Sequence, residues 1–206
     1  MFSFNNFFDF IFNNIKFNYC IMHKNIPNLF FFIDHYDSFI FNHNTNIGII
    51  YRNYNSPNRE TELIKIAKAC KKKRYKLFIS NDLKLAIKFK ADGLYIPAFN
   101  KKSRFLNLEK KNFIILGSAH NQKEVQEKIK QKCNAIFLSP LFYLKKSKNF
   151  LGINKFNILS RFNKIDMYAL GGVNDQNIKK LKLLYIKGYG GIRLAKKKPA
   201  YKRPVF

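Results

Sequence analysis

A chain of 206 residues with 47% hydrophobic content can bury a full core, and its length argues against two domains. The formal charge of +27 comes from 39 Lys+Arg against 12 Asp+Glu, but 32 of those are Lys and only 7 Arg. Lys is the poorer group for bidentate recognition, and Phe, Ile, Asn and Tyr are inflated beside it, so we expect a solvated Lys-rich surface, anionic small-molecule ligands and no specific nucleic-acid partner.

Residues 1–25 are dominated by Phe and Asn. They contain neither the apolar run of ~20 residues that a spanning helix needs nor the layout of a secretory signal. We expect a disordered extension, or a start placed upstream of Met22, with no membrane contact. An aromatic segment lying on a membrane surface is the alternative.

From Leu29 the pattern becomes regular. Leu29–Ile33 and Ile47–Tyr51 are short apolar runs closed by Asp34-His35 and Arg52-Asn53. Ser56-Pro57 offers an N-cap and a first-turn proline, and Leu63, Ile66, Ala67 and Cys70 follow at helical spacing. Lys76–Ser80 reads as a strand ending in Asn81-Asp82, Leu83–Lys90 as a helix, and Gly93–Ile96 as a strand. Phe113–Leu116 and Ala135–Leu138 flank a helix whose apolar stripe is Val125 and Ile129. Ile153–Phe162 is helical, Met167–Leu170 a strand running into Gly171-Gly172, Ile178, Leu181 and Tyr185 a helix, and Gly190–Leu194 the last strand.

Eight strands alternating with helix-length segments predict parallel pairing and an α/β fold, a single short (β/α)8 TIM barrel over residues 26–195. The helix after the eighth strand should be reduced or missing, because residues 196–206 are a basic tail interrupted by two prolines. Cys20, Cys70 and Cys133 are isolated, and the latter two fall on predicted helix positions beside apolar residues. Reduced core thiols and a cytoplasmic location are expected.

In parallel α/β folds chemistry collects at the C-terminal ends of strands. Those ends carry Asp34, His35, Arg52, Asn81, Asp82, Ser118, His120, Ser139, Gly171, Gly172 and Arg193. Two guanidiniums, small amides and a Gly-Gly turn facing one mouth make an anion site. Gly171-Gly172 would let backbone N–H groups approach a phosphate, or is merely a tight turn. His120 is either a general acid/base or a local cap, and Asp82 either a metal carboxylate or a helix N-cap.

The segments LFISND, ADGLYIPA, IILGSAHN, AIFLSPLF, YALGGVNDQNI and GYGGIRL occur in order between Asn28 and Leu194. Together they resemble the thiamine phosphate synthase family, which includes the TenI-type thiazole tautomerases. The resemblance implies a (β/α)8 barrel acting in thiamine biosynthesis, a transferase that joins a pyrimidine pyrophosphate to a thiazole phosphate with release of pyrophosphate and uses Mg2+. A tautomerase or a non-catalytic phosphate-binding relative is the alternative. On this resemblance Arg52 grips the pyrophosphate, Asn81 holds the pyrimidine diphosphate and Asp82 binds the metal. Ser118 falls in the serine position of the SAH motif. Gly171 and Gly172 hold the thiazole phosphate, and His120 matches the tautomerase acid/base. Ser139 and Arg193 join them at the mouth, and a homo-oligomer is compatible with the family.

The chain departs from the family's pattern at three places. Of Gln-x-Arg-x-Lys after the second strand only Arg52 remains, between Ile50 and Tyr54. After the fourth strand residues 95–102 offer no second metal carboxylate. The Pro-Thr-x-Thr-Lys after the sixth strand has become residues 143–147, with Lys148 as the substitute for its lysine. Loss of a metal carboxylate and a pyrophosphate lysine should cost transition-state stabilisation, so catalysis is less secure than family membership.

Overall fold

The computed structural model describes residues 25–42, 46–54, 56–102, 113–145 and 149–191. The extension before residue 25, the basic tail, Cys20, Lys148 and Arg193 lie outside the described residues.

Eight strands close into one all-parallel barrel in chain order: β1 (Leu29–Ile33), β2 (Ile47–Tyr51), β3 (Lys76–Ser80), β4 (Gly93–Ile96), β5 (Ile114–Ala119), β6 (Ala135–Leu138), β7 (Asp166–Leu170) and β8 (Gly188–Gly191). Closure comes from β8 pairing with β1, with Leu29 opposite Tyr189. Helices α1 (Arg59–Lys73), α2 (Leu83–Lys88), α3 (Gln122–Lys130) and α4 (Gly152–Arg161) follow β2, β3, β5 and β6. Short 3-10 segments at Ser38–Asn42 and Ile178–Leu183 follow β1 and β7.

The strands are short apolar runs because both of their faces are covered. One face looks outward to the helices, carrying Phe31, Ile49, Tyr51, Ile79, Ile115 and Ile136. The other fills the barrel with Phe30, Phe32, Ile50, Phe78, Tyr95, Leu116, Phe137 and Tyr168, and Ile26 packs against this inner cluster. Phe30 meets Phe137 edge-on at 5.1 Å between centroids, and Phe32 meets Tyr95 at 5.3 Å. Such aromatic pairs add about 0.5–1.5 kcal/mol each beyond the area they bury. Rings this large fit because glycine faces them: a Cβ on Gly48 would stand 2.2 Å from the Phe30 ring. The interior is therefore a packed core and not a pore.

Several sequence expectations are corrected. Helix α1 starts at Arg59 with Asn58 in the N-cap position and no side-chain cap bond, while Ser56 Oγ accepts from the Asn58 N–H at 3.2 Å. Strand β5 runs on through Gly117 and Ser118 to Ala119, because β6 pairs alongside it that far. On α3 the buried positions are Val125 and Lys128, not Val125 and Ile129. The segment after β7 is a 3-10 turn rather than an α-helix, and Tyr185 stays exposed. The last strand begins at Gly188, two residues before the expected start.

Cys70 and Cys133 are free and buried. Burial pushes both thiols, and the Tyr95 hydroxyl, up to about 12. A folded pKa above the unfolded one gives stability that is complete below the unfolded thiol value of ~8.5 and is lost as pH rises toward the folded value. Lys128 acts with the opposite sign, since burial lowers its pKa. The raised groups outnumber it, so stability is expected to fall above about pH 9, by up to ~1.4 kcal/mol per pH unit for each thiol. Urea midpoints across this range should fall less steeply in a Cys70→Ala, Cys133→Ala double variant. Identical slopes in the two proteins would overturn the buried-thiol account.

Candidate functional site

Of the residues selected from the sequence, those that are described gather at the C-terminal end of the barrel, mostly in two groups on opposite sides. After β2, the Arg52 N–H is tied to the Ile33 carbonyl at 2.7 Å, and its guanidinium acts on the Tyr95 hydroxyl. After β3, Asn81 adopts a left-handed conformation, φ 59°, which asparagine tolerates better than most residues. Asp82 Oδ1 accepts from the Leu85 N–H at 3.0 Å, capping α2, and Oδ2 accepts from Arg59 Nη1 at 3.2 Å. Of the two roles open for Asp82 in the sequence, the N-cap is the one observed. Asp34 and His35 contact each other in largely exposed positions, next to Asn53, which donates to the Asp34 carbonyl.

On the other side, β5 and β6 end next to each other. The His120 N–H donates to Glu124 Oε2 at 2.7 Å, and Asn121 Oδ1 accepts from the Glu124 N–H at 3.0 Å, a reciprocal cap for α3. His120 Nδ1 lies 2.6 Å from the Ser139 carbonyl. A carbonyl only accepts, so Nδ1 carries the proton and the neutral ring keeps Nε2 as its basic atom. Ser139 precedes a cis peptide to Pro140. A Cβ built on Gly171 would lie 3.2 Å from Ser139 Oγ, so the β6 and β7 ends touch. Gly171 and Gly172 have φ of 88° and 76°, values that require glycine here. Asn177 Nδ2 donates to the Gly172 carbonyl at 2.8 Å.

Between the two groups lie Tyr95 and Ser118. The Tyr95 hydroxyl is buried at the end of β4 and hydrogen-bonded to the Ser118 side chain. Ser118 is therefore already engaged, inside the wall rather than on the rim.

Residues missed by sequence reasoning make up much of the β2–β4 rim. Tyr54 shares a 2.7 Å hydrogen bond with Ser80 and meets the exposed Phe99 ring edge-on at 6.1 Å. The Asn100 side chain donates to Asn81 Oδ1, and its own Oδ1 accepts from the Lys102 N–H at 2.9 Å. Behind this loop Lys128 is fully buried and donates to the carbonyls of Pro97 (2.9 Å) and Asn100 (2.7 Å) and to Gln131 Oε1 (2.9 Å). Gln131 Nε2 donates to the carbonyls of Asn100 (3.0 Å) and Lys102 (2.9 Å). A lysine beside Val125 and Ile129 on a largely polar helix gives no sequence signal that its stem crosses above Gly117 into the protein.

The donor set does not suit a hard divalent cation, which needs about six oxygens in near-octahedral geometry. Both Asp82 oxygens, Asn81 Oδ1 and Asn100 Oδ1 are already engaged by protein donors. Among the described residues no group of three or more His, Cys, Asp or Glu could hold a metal. Nor is any helix there long and apolar enough to cross a membrane.

A family profile described as thiamine monophosphate synthase matches residues 46–193. A thiamine-phosphate synthase of Prochlorococcus marinus subsp. pastoris is 31% identical over 138 residues, covering 64% of this chain and 38% of that protein. Another, from Prochlorococcus marinus strain SARG, is 29% identical over 147 residues, covering 68% and 42%. The chain thus spans about two fifths of the length of these relatives. Among solved structures, a thiamine phosphate pyrophosphorylase from Pyrococcus furiosus superposes with a TM-score of 0.67 at 17% identity, over 82% of this chain and 87% of that one. A 2-keto-3-deoxy-6-phosphogluconate aldolase from Zymomonas mobilis gives 0.61 at 14% identity, over 89% and 98%. At such identities the superpositions speak for the barrel alone. The profile extends from the start of β2 through the described ends of β2 to β8 to residue 193, and on that match the chain belongs to the thiamine monophosphate synthase family.

Proposed function

We propose that this protein acts in thiamine biosynthesis as a transferase of the thiamine phosphate synthase type, joining a pyrimidine pyrophosphate to a thiazole phosphate with release of pyrophosphate. The observation that carries this reading is the pair of left-handed glycines, Gly171 and Gly172, beside Ser139, across the mouth from a rim bearing Arg52 and Asn81. In a closed eight-stranded barrel the ends of β2 and β3 lie opposite those of β6 and β7, so two anionic groups can be held with a reacting centre between them. Backbone N–H groups after β7 would hold the thiazole phosphate. Arg52 would take the pyrophosphate and Asn81 the pyrimidine side. Lys148 and Arg193 complete the anion contacts in this reading, in a reducing cytoplasm where Cys70 and Cys133 stay free thiols.

A second reading, thiazole tautomerisation, rests on His120. Its Nδ1 is fixed on the Ser139 carbonyl, which leaves Nε2 able to move a proton within the same mouth.

Purified protein incubated with both synthase substrates, in parallel with Mg2+ and with EDTA, should form thiamine phosphate. Absence of product together with calorimetric binding of thiazole phosphate would transfer support to the tautomerase reading. Absence of both product and binding would defeat both readings.

A further inference from the structure

The oxygens from which a metal site could be built are held by cations and amides of the protein itself. Asp82 Oδ2 accepts from Arg59 Nη1 at 3.2 Å, and the Arg59 side chain is only 20% exposed. Asp82 Oδ1 closes the first turn of α2. Asn100 occupies the β4 loop with an amide where a carboxylate would be needed, and that amide donates to Asn81 Oδ1. The backbone carbonyls of Pro97 and Asn100, in the same loop, accept from the buried Lys128 ammonium. Each of these contacts engages an oxygen of the β3–β4 end with a cation or an N–H donor of the protein. Arg59 uses a single nitrogen on Asp82, and a guanidinium has five N–H donors arranged to grip two oxygens at once.

We propose that this site binds a diphosphate as a metal-free anion, with the Arg52 and Arg59 guanidiniums standing where a divalent cation would otherwise neutralise it. The proposal rests on the reading above that one substrate carries a diphosphate. Asp82 then balances the charge of Arg59 while no anion is bound, competing with the diphosphate for it, and is not a ligand. A guanidinium provides the same neutralisation with directional hydrogen bonds and without the octahedral oxygen shell that these residues cannot supply.

The test is calorimetric titration of the full chain with inorganic pyrophosphate, in EDTA and in excess Mg2+. Binding is expected in EDTA, with Mg2+ strengthening it no more than about twofold. Arg59→Gln should weaken binding in EDTA by about tenfold, equivalent to ~1.4 kcal/mol. Asp82→Asn, which can still cap α2, should strengthen it by releasing Arg59 from a competing carboxylate. Binding that requires Mg2+ and disappears in Asp82→Asn would overturn the proposal and leave the synthase reading intact. No pyrophosphate binding in either condition would overturn the proposal and the synthase reading together.

Discussion

Replacing Lys128 with alanine is expected to destabilise the protein by roughly 2–4 kcal/mol. The ammonium is fully buried and donates to three acceptors, the carbonyls of Pro97 and Asn100 and the side chain of Gln131. Each buried acceptor left without a donor costs about 1–3 kcal/mol, partly offset by the removed desolvation cost of the charge. The stem matters as well, since it passes close over Gly117, where a Cβ would come within 3.0 Å of Lys128 Cδ. Lys128→Met separates the two contributions by keeping most of the stem and removing the donors. Its urea midpoint should fall between those of wild type and Lys128→Ala. Amide exchange in residues 98–102 should accelerate, because Lys128 and Gln131 are what hold that loop against α3. A methionine variant as stable as wild type, with unchanged exchange, would show that the buried network contributes nothing.

Gly172→Val should reduce thiazole phosphate affinity by at least about 100-fold, close to 2.7 kcal/mol. Two observations support a large effect. Gly172 has φ 76°, which a β-branched residue adopts only under strain. A Cβ there would also sit 2.6 Å from the Phe142 carbonyl oxygen, which is backbone and has little freedom to withdraw. The β6 and β7 loops would separate, taking the Gly172 N–H away from the mouth, with a stability loss of roughly 1–3 kcal/mol. Circular dichroism at the binding temperature distinguishes a folded protein that cannot bind from an unfolded one. His120→Ala is the contrast, expected to keep affinity within about twofold while removing any proton transfer through Nε2. Wild-type affinity in Gly172→Val would exclude these glycines from the phosphate contact.

The barrel is legible because most of its strands are built on apolar runs between polar turns, as a parallel strand covered on both faces requires. Five of the eight strands, β1, β2, β3, β4 and β6, have the bounds read from hydrophobicity alone. Boundaries are misplaced where glycine and serine blur the apolar signal, at Gly117-Ser118 in β5 and Gly188 to Gly191 in β8, and where the charged Asp166 opens β7 one residue before the expected Met167. The segment after β7 was read as a helix because Ile178 and Leu181 have helical spacing. Its regular part runs only from Ile178 to Leu183, and Leu184 is already extended.

The sequence alone determined which residues stand at the mouth: a residue following a strand in a parallel barrel must emerge at the C-terminal face, whatever its side chain then does. Arg52, Asn81, His120, Ser139, Gly171 and Gly172 stand there on that ground, whereas Ser118 lies within β5 and is buried in the wall. What each side chain does was decided only by tertiary structure, because hydrogen-bond partners far apart in sequence leave no local pattern. The sequence left Asp82 open between ligand and cap, and its contact with Arg59, 23 residues away, has no local signature. The Ser139 carbonyl fixes the His120 ring from 19 residues away. Lys128 has the composition of a solvated surface residue. It is buried because Gly117 leaves room for its stem and the β4 loop, 28 and 31 residues away, presents two carbonyls to its ammonium.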